Sequence, residues 1–191
     1  STGKLLFGNW FGISIYNPEN DNFTNIRLPA TKSNDACVLT MTEDENGNIY
    51  AGTWGGILFK LDSELNLIKT FDNLVANRIK DLYYDTEDQS LWMATWDDGF
   101  CKFNTIDNSL ISLNAEVNDW GIQIANNRIH SFLKLENEFW LATEEGIAIF
   151  NPLQRSVISI LQSDLNRYSL SENVITYLYI DQNDGIWAGT S

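Results

Sequence analysis

The chain lacks most of what a disulfide scaffold, a metal site or a nucleic-acid binder requires. Of 191 residues only two are cysteine, Cys37 and Cys101. Two cysteines make no framework, and Cys101, set in a strand pattern, reads as a small core residue. The cysteine count says little about redox compartment. The single histidine, His130, has no Ser or Cys nucleophile context and cannot complete a triad. Beside Ile129 and Phe132 it reads as a satisfied strand histidine. No Cys/His cluster has metal-ligand spacing, so neither a metal nor any other cofactor is expected. Lys and Arg number 12 against 26 Asp and Glu, a formal net charge of −14. Affinity for nucleic acid comes largely from cations set on phosphates, so a duplex or an RNA would be repelled, as would an anionic membrane surface. No apolar run reaches the roughly eighteen residues of a membrane span, so no membrane insertion is expected of this segment. No stretch reads as a signal peptide, and a start at Ser1 without Met fits a processed segment. Nor does any stretch carry a convincing helical stripe.

What is present is apolar and repetitive. The composition is 43% hydrophobic and 13% aromatic, which excludes a disordered chain. One phrase recurs five times: Leu-Leu-Phe-Gly-Asn at 5–9, Ile-Tyr-Ala-Gly-Thr at 49–53, Leu-Trp-Met-Ala-Thr at 91–95, Phe-Trp-Leu-Ala-Thr at 139–143 and Ile-Trp-Ala-Gly-Thr at 186–190. Its last residues, Asn9, Thr53, Thr95, Thr143 and Thr190, lie 44, 42, 48 and 47 positions apart. Such a period marks an array of one supersecondary unit that must stack on its neighbours to bury its apolar faces.

Residues 36–73 show the unit. A first strand over Ala36–Asp44 leads into the hairpin Asp44-Glu-Asn-Gly47-Asn, in which Asp and Asn cap their own backbone and Gly takes positive φ. A second strand covers Ile49–Thr53. Trp54-Gly55-Gly56 turns the chain into a third strand at Ile57–Leu61, and a fourth follows at Leu67–Phe71. First strands recur at 78–85, 128–135 and 174–181, third strands at 13–16, 100–103 and 147–150, and fourth strands at 23–28, 110–113 and 157–161. The repeats run approximately 1–35, 36–76, 77–126 and 127–172, with a partial repeat at 173–191.

The second strand is apolar on both faces: Leu91 and Met93 point one way, Trp92 and Ala94 the other. Each sheet must therefore be covered on both sides. The fold expected is all-β, a β-propeller of four-stranded antiparallel blades. The pairs Trp92/Ala94, Trp140/Ala142, Trp187/Gly189 and Tyr50/Gly52 suit that packing, a ring filling the gap to the next blade and a small residue admitting its backbone.

Asn173-Val-Ile175-Thr-Tyr-Leu178-Tyr-Ile-Asp181 with Asp184-Gly-Ile-Trp187-Ala-Gly-Thr190 resembles the two-component regulator propeller repeat. So do Gly47-Asn-Ile-Tyr-Ala-Gly-Thr53 with the Gly-Gly-Ile after it, and the inter-blade segment Asp164-Leu-Asn-Arg-Tyr-Ser-Leu-Ser-Glu-Asn173. Leu135 departs from the pattern where Asp44, Asp85 and Asp181 recur; Leu6 replaces the aromatic of the first phrase, and the turn from Thr95 to Gly99 is one residue longer than that from Thr53 to Gly56. The resemblance implies the periplasmic sensor region of a bacterial hybrid two-component histidine kinase, anchored in the inner membrane. Such regions typically detect breakdown products of complex polysaccharides, and their kinase lies across the membrane.

The chain begins and ends in a second strand, so we expect about four blades as an open arc cut from a larger propeller. Its exposed terminal blades would meet neighbouring blades or domains of the parent receptor, or a second copy of the chain. The rival is a closed four-bladed ring whose first and last strands share a blade.

In a propeller the turns from second to third strand share a face with the connections between blades. Topology therefore places Trp10, Trp54 and Trp96 on one rim, with Trp120 in the connection 115–127; Asp97, Asp98, Glu144 and Glu145 occupy the same turns. These tryptophans read either as mortar between turns or as a ledge for an oligosaccharide or a partner domain, with the acids able to bind hydroxyls or cations. On the opposite face, Asp181-Gln-Asn-Asp-Gly185 faintly resembles a calcium loop but has the length of a hairpin and lacks the downstream Glu. The Gly55-Gly56 pair joins strands and does not open a helix, so no phosphate loop is present. No catalysis is expected. The alternatives are a fragment of a polysaccharide-active glycosidase or lyase, built on an acid pair such as Asp97/Asp98, or a protein-interaction scaffold.

Overall fold

The computed structural model describes residues 4–116, 121–162, 166 and 168–191. The first sheet holds β1 (Leu5–Asn9), β2 (Gly12–Asn17) and β3 (Asn22–Arg27). The second holds β4 (Val38–Glu43), β5 (Ile49–Thr53), β6 (Leu58–Leu61) and β7 (Leu67–Phe71). The third holds β8 (Ile79–Asp85), β9 (Ser90–Thr95), β10 (Phe100–Asn104) and β11 (Leu110–Leu113). β12 (Ile129–Leu135), β13 (Glu138–Thr143), β14 (Gly146–Asn151) and β15 (Ser156–Ile160) make the fourth, and β16 (Ile175–Ile180) with β17 (Ile186–Thr190) the fifth. In every sheet the strands lie side by side in chain order, as the meander predicts. β1 and β17 belong to different sheets, so the shared blade of the closed ring is not formed. Among the described residues no helix is long and apolar enough to cross a membrane.

Contacts group the chain into two compact units, Ser1–Met93 with Phe103–Leu110, and Ala94–Lys102 with Ile111–Ser191. In the first, Ile13, Val38, Ala51, Phe59 and Leu61 share a core with Leu28 and Leu65. Burying a ring such as Phe59, which is 0% exposed, stabilises the fold by roughly 1.5–3 kcal/mol. Sheets approach closely where the repeated phrase is small: a Cβ on Gly8 would meet the Val38 carbonyl oxygen at 2.6 Å, and one on Gly52 would meet Ile79 at 2.6 Å. Tyr50, the aromatic beside Gly52, stacks on Tyr84 at 6.1 Å. This is the large–small pairing expected from the sequence.

In the second unit Phe100 packs against Phe132, Phe139 and Phe150 at 4.9, 5.1 and 6.3 Å. Ala142, Ile147, Ile175 and Leu178 form a further cluster. The Leu178 amide donates to Ser131 Oγ at 3.0 Å, a buried tie from β16 to β12.

The threonine that ends the repeated phrase clamps the turn after it. Thr53 Oγ1 donates to the Ile57 carbonyl at 3.0 Å and accepts from its amide at 3.1 Å. Thr95 Oγ1 donates to the Gly99 carbonyl at 2.8 Å and accepts from the Asp98 amide at 3.0 Å. Thr143 Oγ1 does the same with the Gly146 carbonyl (2.8 Å) and the Glu145 amide (3.0 Å). Asn9 substitutes its Oδ1, which accepts from the Phe11 amide at 2.8 Å. The glycine that follows is equally constrained: Gly99 has φ of +79° and a Cβ there would collide with the Leu113 carbonyl oxygen.

Three first strands share an irregularity. The register between β4 and β5 slips between Val38 and Thr40, between β12 and β13 at Ile129/Ser131, and between β16 and β17 at Ile175/Tyr177. Leu39, His130 and Thr176 are the extra residues. A bulge at a fixed place re-aims one side chain without disturbing the ladder beyond it.

Candidate functional site

Turn chemistry positions the rim tryptophans. In the first unit Trp10 and Trp54 follow the clamps of Asn9 and Thr53 and stack on each other, centroids 6.1 Å apart and planes inclined by 28°. The Trp54 amide donates to the Cys37 carbonyl at 2.8 Å, which fixes its turn against the start of β4. The Arg78 guanidinium sits 3.8 Å from the Trp54 ring centroid. Trp54 is thus half-buried between partners, whereas Trp10 remains 57% exposed. Phe11 beside it is 62% exposed and carries the Arg27 guanidinium at 5.3 Å. An exposed indole and an exposed phenyl ring thus stand side by side, the phenyl ring under the Arg27 guanidinium.

In the second unit Trp96 meets His130 edge-on at 5.2 Å, with the Arg128 guanidinium 5.4 Å from its ring. Arg128 Nη1 donates to Glu144 Oε2 at 3.1 Å and Nε to Asp97 Oδ1 at 3.5 Å. The hydrogen bond to Glu144, then the one to Asp97, holds the guanidinium above the usual arginine range. His130 Nε2 lies 3.9 Å from Glu144 Oε1. Asp97 and Glu144 therefore face a cation already supplied by the protein. The Asp98 amide serves the Thr95 clamp, and Glu145 accepts from Asn126 Nδ2 at 3.3 Å. Trp120 lies outside the described residues. Among those residues no three His, Cys, Asp or Glu come together as metal ligands.

The arginines are what sequence reasoning missed. Their signal was the tripeptide Asn-Arg-Ile, written identically at 77–79 and 127–129. Each arginine opens a first strand and covers the tryptophan of the preceding turn. The asparagines two residues ahead of β12 and β16 make a second tie: the Gly99 amide donates to the Asn127 carbonyl at 3.1 Å, and the Gly146 amide to that of Asn173 at 2.6 Å.

At the other end of the strands the aspartates stay within their hairpins. Asp44 Oδ1 accepts from the Asn46 and Asn48 amides at 3.0 and 2.9 Å. Asp181 Oδ1 accepts from the Asn183 and Gly185 amides at 2.8 and 2.9 Å, and Oδ2 from Trp187 Nε1 at 2.7 Å. The resemblance to a calcium loop at 181–185 thus resolves into turn chemistry.

Residues 169–191 match the family described as two component regulator propeller. The whole chain superposes on the extracellular domain assigned to the hybrid two component system BT3049 of B. thetaiotaomicron, with a TM-score of 0.76 and 26% identity, covering 24% of that domain. The corresponding domain of BT4673 from the same organism gives a TM-score of 0.75 at 20% identity over 99% of this chain and 25% of that one. A stretch of 150 residues is 27% identical to "Histidine kinase P4" of Formosa agariphila, covering 72% of this chain and 10% of that protein. The chain thus spans about a quarter of the solved domains and a tenth of the kinase.

Proposed function

We propose that this chain is a non-catalytic recognition segment in the periplasmic sensor region of an inner-membrane hybrid two-component histidine kinase, and that it meets breakdown products of polysaccharides. The observation that carries this reading is the likeness, over the entire chain, to extracellular domains of hybrid two component systems. The rim chemistry supports it. Trp10, stacked on Trp54 and 57% exposed, offers an apolar ledge of the kind that packs against the C–H face of a sugar ring. In each unit one rim tryptophan, Trp54 or Trp96, serves as mortar and is covered by an arginine. Asp97, Asp98, Glu144 and Trp120 complete the expected contact set. Because Arg128 bridges Asp97 and Glu144, these carboxylates suit a binding rim better than an acid/base pair for glycoside cleavage.

Partners follow from the exposed aromatic faces. On β16–β17, Tyr177, Tyr179 and Trp187 are 60%, 54% and 63% exposed; in the first sheet Leu5, Phe7 and Phe23 are 54%, 44% and 53% exposed. Faces of this kind serve neighbouring blades or domains of the parent receptor, or a second copy of the chain.

The test is incubation with a panel of plant and algal oligosaccharides. A raised melting temperature with the glycan intact is expected, and Trp10→Ala should abolish the rise while leaving the melting temperature of the free protein within about 4 °C, since an exposed ring contributes little to folding. New reducing ends would show an enzyme. A rise unaffected by Trp10→Ala would remove the rim from the reading.

A further inference from the structure

The hairpin between β12 and β13 differs from its counterparts in a way that leaves a site open. Glu43 pairs with Ile49 and Ile180 with Ile186, so the β4–β5 and β16–β17 loops have five residues each. Leu135 pairs with Glu138, which leaves a loop of two, three fewer, with Glu136 in the left-handed region at φ of +49°. The turn aspartate, Asp44 or Asp181 elsewhere, is replaced by Leu135. In one sheet that aspartate has a second task. In the fifth sheet Asp181 Oδ2 takes the indole N–H of Trp187 at 2.7 Å. Trp140 is the equivalent tryptophan of the fourth sheet, and without a carboxylate at 135 its Nε1 has no acceptor among the described residues.

Trp140 is half-buried, one part of it packed on the core of Ala142, Ile147 and Leu178. It also lines a groove of about 660 Å³ beside the short hairpin, together with Leu135, Glu136, Glu138, Ile180 and Asp184. The combination is an indole with a donor to spare, flanked by carboxylate acceptors. A pyranose meets it on every count: its C–H face stacks on the ring, its hydroxyls accept from the indole N–H, and they donate to the carboxylates. Uronate and sulfate groups are disfavoured there by Glu136, Glu138 and Asp184.

We infer that the groove beneath the short β12–β13 hairpin is a second saccharide site, selective for neutral sugars. It rests on the carbohydrate reading above but involves none of the rim residues. The test is titration of the ¹⁵N-labelled chain, at millimolar concentration of sugar, with neutral gluco-, manno-, galacto- and xylo-oligosaccharides and with oligogalacturonate. The indole signal of Trp140 is identified by its loss in Trp140→Phe. At least one neutral sugar is expected to shift that signal, oligogalacturonate to leave it in place, and Trp140→Phe to weaken binding about tenfold, equivalent to one lost neutral hydrogen bond at the upper end of its usual range. Leu135→Asp, which restores the carboxylate that Trp187 enjoys, should occupy the indole N–H and weaken binding comparably. Trp10→Ala should leave the Trp140 shift intact, which separates this site from the rim. A Trp140 signal indifferent to all the neutral sugars, or equally responsive to oligogalacturonate, overturns the inference, as does binding unchanged in both Trp140→Phe and Leu135→Asp.

Discussion

Replacing Thr95 by valine removes a hydroxyl and keeps the shape. Thr95 is 0% exposed, and its Oγ1 both donates to the Gly99 carbonyl at 2.8 Å and accepts from the Asp98 amide at 3.0 Å. The two losses are unequal. The Gly99 carbonyl retains a bond from the Thr95 amide at 3.1 Å, so losing the hydroxyl there costs only about 0.5–1.5 kcal/mol. The Asp98 amide donates to the same hydroxyl, and an N–H that loses its acceptor in a partly buried turn costs about 1–3 kcal/mol. Together they predict a loss of about 1.5–4.5 kcal/mol, and a fall in melting temperature of roughly 3–18 °C for a chain of this size. Thr95→Ser keeps both bonds and forfeits one methyl, about 0.8 kcal/mol. Urea titration followed by tryptophan fluorescence, run beside thermal melts of wild type, Val and Ser variants, measures the difference. A valine variant within about 0.5 kcal/mol of wild type, or a serine variant as weak as valine, refutes the clamp as the reason threonine recurs.

Three further outcomes are expected. Gly99→Ala forces a Cβ onto the Leu113 carbonyl at φ of +79° and should cost at least about 3 kcal/mol, whereas Gly47→Ala, also at +79° but with nothing nearer than 3.5 Å, should cost about 1 kcal/mol; paired denaturation curves separate them. Asp181 titrates below the usual aspartate range because Trp187 Nε1–H, then the Gly185 and Asn183 amides, bond its charged form. Its contribution to stability is therefore present above the unfolded-state pKa and lost as pH falls through the lower folded one; Trp187→Phe should move its carboxyl ¹³C titration upward, and an unmoved midpoint would discount the indole bond. Burial pushes the Cys101 thiol up to about 12, and Cys37 is likewise buried and raised by burial. Neither should react with a disulfide reagent at mildly alkaline pH before unfolding, and rapid labelling of the native chain would contradict the packing.

The array of strands was legible because its signals are local. A turn aspartate, a following glycine and a phrase with apolar residues on both faces each act within a few positions, and the strands lie within a residue or two of where that pattern puts them. The reading of Cys101 as core is met, with 0% exposure. The site was less legible because its pairings run between repeats. Nothing in Trp54 indicates that Arg78 will lie over it, since that contact needs the spacing of one sheet against the next. Asp97 and Glu144 looked like free acids for the same reason: Arg128, which engages both, is 31 residues from one and 16 from the other. His130 was read as a satisfied strand residue; its place as the extra residue of a bulge, edge-on to Trp96, is a matter of register that composition does not carry.

Leu39, His130 and Thr176 hold one slot in the first strands of the second, fourth and fifth sheets. An aliphatic, an imidazole and a hydroxyl are all admitted there because the bulge takes that position out of the pairing register. The chain thus contains a socket whose contents can be exchanged while its frame is kept, and new specificity can be tried there at small risk to folding.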